Sequence, residues 1–248
     1  MSFIFNFCKR YFLIFVFCSI GASTFADETP LKATFYGSFL HTEYIPNALF
    51  FFSEIEREDS FELRKAMRNH EIETIVLSSP GGSVWEALNM AGIINDNGLT
   101  TYIPKQGAID TGICASACSF LFFGGKSRVA DGKLGVHQFY SGKNKKANEA
   151  VTQQITQFTV SEIIGFLNEF DAPAFVFEKM FQNQEMYFFN ASELGQLELG
   201  RDLIKPSFVE NVDDFISKFR AELEKLEVQN QQVATSVTQT PKKVLKKK

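Results

Sequence analysis

The chain has 248 residues, of which 45% are hydrophobic, and it carries a formal net charge of −4. This length is enough for one large or two small domains, and this apolar fraction is enough for a hydrophobic core. The charge is negative and no basic stripe lies in the folded part, so the composition argues against a nucleic-acid partner.

The first 26 residues have the order of parts found in an export signal. Lys9 and Arg10 form a positive segment, an apolar run of about ten residues follows, and Thr24-Phe25-Ala26 resembles a small-x-small cleavage site. The apolar run is shorter than the ~20 residues that cross a bilayer. The sequence therefore predicts a signal peptide over residues 1–26 and a mature protein that is exported, periplasmic or secreted.

Short β-rich runs then alternate with segments of helical periodicity, which predicts an α/β fold in a single domain over residues 27–220. Residues 221–248 are polar and end in a basic run, which predicts a disordered tail with a weak attraction to an anionic membrane surface. The predicted elements are, in chain order, a strand at 33–40, helices at 47–55 and 61–69, a strand at 73–78, a helix at 84–95, a strand at 99–103, a helix at 116–123, strands at 126–130 and 133–136, helices at 151–170 and 174–181, a strand at 187–189, and helices at 191–197 and 209–226.

Three motifs between residues 77 and 139 supply the parts of an acyl-transfer site. Ser79-Pro80-Gly81-Gly82 follows a buried strand and exposes backbone N–H groups that can bind an oxyanion. Ser116 lies among small residues at a predicted helix start, and His137 follows a short apolar strand. Each motif alone also has an ordinary structural explanation, which is a tight turn, a helix cap or a buried histidine. The other two histidines, His41 and His70, are predicted surface groups.

Cys114 and Cys118 are the two cysteines that remain after the signal is removed. An even pair in an exported protein can form a disulfide, and spacing i,i+4 on a helix gives a permitted but not optimal separation. Two buried thiols on one helix face explain the pair equally well, so both alternatives stay open. Three scattered histidines and this pair do not make a zinc site, and no Walker-type loop is present, so no metal or cofactor is predicted.

Taken together, the motifs resemble those of the Clp protease proteolytic subunit and its wider crotonase-like superfamily, over residues 35–205. The resemblance implies an α/β layered fold of repeated β-β-α units in a single domain, and the exported Clp-like proteins are the most similar group. The matching segments are Ser79-Pro80-Gly81-Gly82, Gly112-Ile113-Cys114-Ala115-Ser116 for the family's Gly-x-Ala-Ala-Ser, Val136-His137-Gln138 for its Ile-His-Gln, Phe189-Asn190-Ala191-x-Glu193, and Leu199-Gly200.

By resemblance, Ser116 is the nucleophile, His137 is the general base, and the backbone N–H groups of Gly82 and Ala117 form the oxyanion hole. The implied activity is hydrolysis of peptide bonds in a protein or peptide substrate through an acyl-enzyme, without a cofactor. The family also forms trimers, hexamers or heptamer rings, so the resemblance implies a homo-oligomer. No ATPase partner is implied, because an exported protein meets no ATP.

The sequence departs from the family pattern at one position. Where the family has its aspartate, this chain has Met186, whose thioether cannot orient or stabilise an imidazolium. Glu185, one residue earlier, is the predicted third catalytic group, and Asp171 and Asp202 are more distant candidates. Because loss of the third group can lower the rate by ~10⁴, the second interpretation is a catalytically inactive scaffold that binds peptides or a protein partner.

Two other enzyme classes are weaker alternatives. A crotonase-type enzyme would act on a coenzyme A ester, but export separates the protein from that cytosolic substrate, and crotonase chemistry does not use a serine–histidine pair. A serine–lysine peptidase could use Lys126 or Lys133, but the histidine at the family's position favours His137 as the base.

Overall fold

The computed structural model describes residues 32–107, 112–139 and 149–238. The predicted signal peptide, residues 1–26, and the basic end of the predicted tail, residues 239–248, lie outside the described residues. The chain divides into two compact units, residues 1–206 and residues 207–248. None of the helices in the described part combines the length and the hydropathy needed to cross a bilayer.

The described part of the first unit contains a six-stranded and a three-stranded β-sheet. The strands are β1 (Ala33–Tyr36), β2 (Phe39–Thr42), β3 (Ala48–Phe51), β4 (Thr74–Leu77), β5 (Thr100–Ile103), β6 (Ile113–Ala115), β7 (Ser127–Ala130), β8 (Lys133–Val136) and β9 (Tyr187–Phe188). The larger sheet has the order β1-β2-β3-β4-β5-β7, antiparallel from β1 to β3 and parallel from β3 to β7. The smaller sheet has the order β6-β8-β9, with β6 parallel to β8 and β9 antiparallel to it.

Helices connect the parallel strands, as parallel pairing requires. They are α1 (Asp59–Asn69), α2 (Val84–Asp96), α3 (Cys118–Gly124), α4 (Glu149–Glu169), α5 (Ala174–Gln182) and α6 (Ala191–Leu197), followed by a 3₁₀ turn at Arg201–Leu203. The mixed α/β class that the alternating pattern predicts is confirmed.

Helix α2 starts directly after the predicted glycine turn, and Ser83 caps its first turn. The side chain of Ser83 accepts a hydrogen bond from the N–H of Glu86 at 3.4 Å. One face of α2 is buried against α3, and a Cβ on Gly124 would lie 2.6 Å from the carbonyl oxygen of Ala91. The glycine therefore lets the end of α3 approach α2 closely.

Two predicted elements near the N-terminus differ from the structure. The single strand predicted at 33–40 is divided by a turn at Gly37, whose φ of +56° suits glycine. The helix predicted at 47–55 is instead the strand β3, which is buried along its whole length between β2 and β4. A short apolar run fits a buried strand as well as a helix, and only the partners on both sides decide between them.

The strands predicted at 126–130 and 133–136 do not pair with each other across Asp131-Gly132. β7 pairs with β5 in the larger sheet, whereas β8 pairs with β6 and β9 in the smaller one. A Cβ on Gly132 would collide with the carbonyl oxygens of Gly112 and Pro104, so only glycine fits where the chain passes between the sheets. This change of sheet brings β8, which leads to His137, beside β6, which leads to Ser116.

A buried arginine joins the ends of three helices. Arg128 donates hydrogen bonds to the carbonyl oxygens of Phe123 in α3 and Leu197 in α6, at 3.0 and 2.8 Å. It also donates to the carbonyls of Phe170 and Asp171, just beyond α4, at 2.9 and 3.2 Å. Burial lowers the pKa of Arg128 to about 10, and the nearby charge of Asp171 opposes that effect. The guanidinium satisfies carbonyls that have no partner within their own helices.

The second unit continues in one helix, α7 (Pro206–Thr238). The predicted boundary at residue 220 falls inside this helix, and the described part of the predicted disordered tail, 221–238, is helical. The segment contains no Gly or Pro and is rich in Ala, Glu, Leu, Lys and Gln, which are good helix formers. Two ion pairs at i,i+4 spacing on the surface of α7, Asp214–Lys218 and Arg220–Glu224, stabilise this helix.

Candidate active site

Ser116 and His137 meet at the carboxyl ends of two neighbouring parallel strands. β6 ends at Ala115 and β8 at Val136, and Ala115 pairs with Gly135. The Oγ of Ser116 lies 2.7 Å from the Nε2 of His137. In the tautomer with Nε2 unprotonated, the hydroxyl donates this bond, as a nucleophile does to its general base.

Ser116 occupies a sharp turn between β6 and α3. The sequence predicts it as the first residue of a helix, but α3 begins two residues later, at Cys118. The φ of Ser116 is +58°, a left-handed conformation that costs a residue with a Cβ about 1–2 kcal/mol. Its N–H donates to the carbonyl oxygen of Gly135 at 3.0 Å, and its own carbonyl accepts from the Oγ of Ser119 at 2.7 Å. A partly exposed serine on a strained strand-to-helix turn is typical of a nucleophile.

The two cysteines bracket this turn and are bonded to each other. Cys114 lies in β6 and Cys118 is the first residue of α3, with 5.2 Å between their Cα atoms. Both side chains are buried. The helical i,i+4 geometry assumed from the sequence does not apply, because the chain turns between them and brings the Cα atoms within bridging distance.

The Gly81-Gly82 turn packs directly against the serine. The φ values of Gly81 and Gly82 are +102° and +142°, conformations that side chains disfavour. The N–H of Ile55 donates to the carbonyl of Gly81 at 2.7 Å and fixes the turn. A Cβ on Gly81 would lie 2.7 Å from the Cβ of Ser116. Glycine at this position therefore allows the turn to reach the reacting side chain.

Two backbone N–H groups beside Ser116 are available to an oxyanion. Gly82 and Ala117 both line the cavity that contains Ser116 and His137. Among the residues that the structure describes, no acceptor is bonded to the N–H of Gly82 or of Ala117. Unpaired donors next to a nucleophile are what a developing negative charge on a carbonyl oxygen requires.

The cavity has a volume of about 140 Å³. Besides the polar groups already described, Ser119 lines it, and its remaining walls are apolar. The sequence gives no chemical signal for these wall residues, because each belongs to an ordinary apolar pattern of its element. The apolar wall residues are Val84, Phe120, Val136, Phe139 and Met180.

None of the three carboxylates considered as the third group contacts the serine–histidine pair. Glu185 is exposed, and no hydrogen bond or ion pair connects it to His137 among the described residues. The same is true of Asp171 and Asp202. β8 and β9 pair Val136 with Tyr187, so Met186 is the next residue of its strand toward His137. The position that aligns with the family's aspartate is therefore close to the histidine, and a methionine occupies it.

The described residues contain no group of three or more His, Cys, Asp or Glu side chains that could hold a metal ion. The fold and the site define a mixed α/β protein with a serine–histidine pair beside two unpaired backbone donors. No family model and no curated protein matches the chain. Among solved structures, the chain is similar to a mutant of ClpP1 from Listeria monocytogenes, with 14% identity, 62% of this chain and 89% of that chain covered, and a TM-score of 0.46.

Proposed function

We propose that the chain is an exported serine peptidase of the Clp type, which hydrolyses peptide bonds through an acyl-enzyme on Ser116. The observation that carries the proposal is the 2.7 Å contact between the Ser116 Oγ and the His137 Nε2 in a cavity with two unpaired N–H groups. Nucleophile, base and oxyanion donors are the minimum set for acyl transfer.

The reaction runs in two halves. The Oγ of Ser116 attacks the substrate carbonyl carbon while the Nε2 of His137 takes its proton, and the carbonyl oxygen becomes an oxyanion held by the N–H groups of Gly82 and Ala117. His137 then gives the proton to the leaving amine, and the C–N bond breaks. A water molecule attacks the acyl-enzyme with His137 again as base, which releases the acid and restores Ser116.

The apolar cavity supports a preference for an apolar side chain next to the cleaved bond. Its volume is about 140 Å³, and a cavity of about 150 Å³ holds a benzene molecule. A side chain between leucine and phenylalanine in size therefore fits. Phe139 and Met180 would contact it, so we expect cleavage beside such residues in an unfolded or extended polypeptide.

Export and assembly belong to the same proposal. The bond between Cys114 and Cys118 supports an oxidising compartment, where such bridges persist. Helix α4 exposes three apolar side chains at helical spacing, Val151, Ile155 and Phe158, which supports packing between subunits of a homo-oligomer. The contact of the basic tail with a membrane surface remains an expectation from the sequence.

One observation favours a second function, a peptide-binding scaffold without catalysis. Met186 occupies the position toward His137 at which the resembling family has its aspartate. A thioether at that position does not stabilise an imidazolium as a carboxylate does, and loss of that role can lower the rate by ~10⁴. The same cavity would then bind an apolar peptide side chain without cleaving the chain beside it.

A fluorophosphonate probe separates the two functions, because it forms a covalent bond only with an activated serine. We expect stoichiometric labelling of the wild-type protein, none with Ser116→Ala, and strongly slowed labelling with His137→Gln. Ser83→Ala, which removes a serine from the nearby cap of α2, is the matched control and should label like the wild type. Labelling that survives in Ser116→Ala would reject the assignment, and binding of an apolar peptide without any labelling would favour the scaffold.

A further inference from the structure

The disulfide encloses the segment that must be strained for Ser116 to face His137. Cys114 and Cys118 lie two residues before and two residues after the serine. Between them Ser116 adopts a φ of +58°, which non-glycine residues avoid. Neither sulfur lines the cavity, and both side chains are fully buried, so the bond cannot take part in the chemistry directly.

The other restraints on this turn are backbone hydrogen bonds and the packing of α3, whose residues are all buried. The N–H and the carbonyl of Ser116 are held by Gly135 and Ser119. The helix itself has seven residues, and its N-cap residue, Ala117, makes no capping hydrogen bond through its side chain. Helices this short are marginal without tertiary support, and a missing cap weakens them further. The covalent bond from Cys118 to strand β6 supplies a fixed attachment at this end.

We propose that the Cys114–Cys118 bond is a positioning device for the nucleophile, and that the site becomes competent only when the bond forms. The two thiols lose two protons and two electrons, which pass to the disulfide of a thiol–disulfide oxidoreductase and reduce it to a dithiol. Before oxidation the turn relaxes away from the left-handed conformation, and the Oγ leaves hydrogen-bonding distance of His137. The catalytic consequence of this inference rests on the proposed peptidase function.

The burial of both sulfur atoms determines when the Cys114–Cys118 disulfide can form or exchange. A disulfide exchanges only when a thiolate reaches one of its sulfurs, and both sulfurs here are inaccessible in the folded chain. The bond is therefore set during folding and does not switch back and forth in the native protein. A chain that has not yet left a reducing compartment would hold two thiols and an unassembled site, so the peptidase would be silent until it is exported.

The experiment compares protein refolded with oxidised glutathione and protein refolded with dithiothreitol. We expect the reduced form to react with the fluorophosphonate ~10- to 100-fold more slowly per folded molecule, because small misplacements of a reacting atom have effects of this size. The double variant Cys114→Ala/Cys118→Ala should be equally slow and should not respond to either reagent. Ile72→Val, which lowers stability at a buried residue outside the cavity, is the control for destabilisation and should label at the wild-type rate.

A second readout does not depend on catalysis. The ¹⁵N resonance of the His137 side chain reports whether its Nε2 accepts a hydrogen bond, and His137→Gln assigns the signal. We expect this resonance to change between the oxidised and reduced forms, and to stay at its oxidised position in Ile72→Val. If the oxidised protein fails to label but the resonance still responds to reduction, the peptidase function is rejected and the positioning role stands. Equal labelling rates and an unchanged resonance in both redox forms would reject the positioning role.

Discussion

His41 and His70 stack face to face, with ring centroids 3.5 Å apart and planes 12° from parallel. The Nε2 of His70 lies 2.8 Å from the hydroxyl of Tyr36, and the Nε2 of His41 lies 3.0 Å from the carbonyl oxygen of Pro46. His41 is buried, which differs from the surface position predicted from its polar sequence neighbours. The stack joins the β1–β2 hairpin to the end of α1, and a charge on His70 would lie against the ring of His41.

Stability should therefore decrease in mild acid. Burial lowers the pKa of His70, and the neighbouring His41 lowers it further. The unfolded chain then binds protons more readily than the folded chain as the pH falls below ~6.5, so the free energy of unfolding falls over that range. Urea unfolding from about pH 8 to about pH 5 should show a steeper loss for the wild type than for His70→Phe, which keeps a stacked ring. Equal slopes for the two proteins would contradict this account.

Removal of the buried arginine should be costly. Arg128→Met leaves four carbonyl groups of three helix ends without their donor, and buried unsatisfied groups cost about 1–3 kcal/mol each. We expect the free energy of unfolding to fall by at least ~3 kcal/mol in denaturant titrations. Arg128→Lys keeps the charge but has fewer donors, so its free energy of unfolding should lie between those of the wild type and Arg128→Met. Its measurement covers the case in which Arg128→Met does not fold.

Arg201→Met is the matched control for this prediction. Its guanidinium forms ion pairs with Asp131 at 2.9 Å and with Glu198 at 2.5 Å, but the arginine side chain is 52% exposed. Exposed ion pairs are screened by solvent, so the loss should be below ~1 kcal/mol. An equal decrease in the free energy of unfolding for Arg128→Met and Arg201→Met would show that burial of the arginine does not determine the loss of stability.

Gly81→Ala should remove reactivity more than stability. The added methyl group would lie 2.7 Å from the Cβ of Ser116 and would push the serine from His137. The rate of fluorophosphonate labelling should fall at least ~10-fold per folded molecule. Gly98→Ala is the control, because Gly98 has a comparable positive φ of +64° but no atom within 4 Å of an added Cβ. This control should lose stability and keep its labelling rate.

Met186→Asp should increase hydrolysis because it adds a carboxylate beside His137. Met186 directly precedes β9, and the pairing of Val136 with Tyr187 places it next toward His137, where an acid could accept a hydrogen bond from the imidazole and stabilise its charged form. We expect kcat for an apolar peptide to rise by about tenfold or more. Glu185→Gln tests the alternative third group, and a loss of kcat in that variant would assign Glu185 to the site. No change in either variant would favour the scaffold.

Met180→Ala should change the preferred side chain. Truncation enlarges the cavity beside Ser116, so the ratio of kcat/KM for substrates with a large aromatic and with leucine should shift toward the aromatic by ~10-fold. Met67→Ala, which truncates a partly buried methionine of α1 outside the cavity, should leave that ratio unchanged. A shift in both variants would show that general loosening, and not the cavity wall, sets the preference.

The motifs of the sequence single out residues that the structure brings to one cavity, but they do not predict the path of the chain that joins them. One cavity is lined by Ser116, His137, Gly82 and Ala117. The sequence reveals these residues because a histidine at a strand end and a double glycine before a helix are rare and tied to local structure. The third catalytic group stays a prediction, because Glu185 and Met186 are adjacent in sequence. Adjacent side chains of an extended segment point to opposite faces, so a shift of one residue decides which of them can face His137.

Other features depend on contacts that no local pattern contains. The apolar run at 47–55 becomes a strand because two other strands pair with it, and its own spacing does not reveal them. The passage of the chain at Gly132 from one sheet to the other depends on backbone atoms of Pro104, distant in sequence. The cysteine pair stays ambiguous in the sequence because its bonding depends on where α3 begins.

The register in which β6 pairs with β8 sets the distance between the nucleophile and the base. Neighbouring strands lie ~4.8 Å apart, and a slip of one residue moves a side chain by ~3.3 Å and turns it to the opposite face. A slip in register between β6 and β8 would therefore break the Ser116–His137 contact in one step. In a library of random variants, changes within β6 and β8 should divide into reactive and unreactive proteins, whereas changes in the cavity wall should give a continuous range of rates.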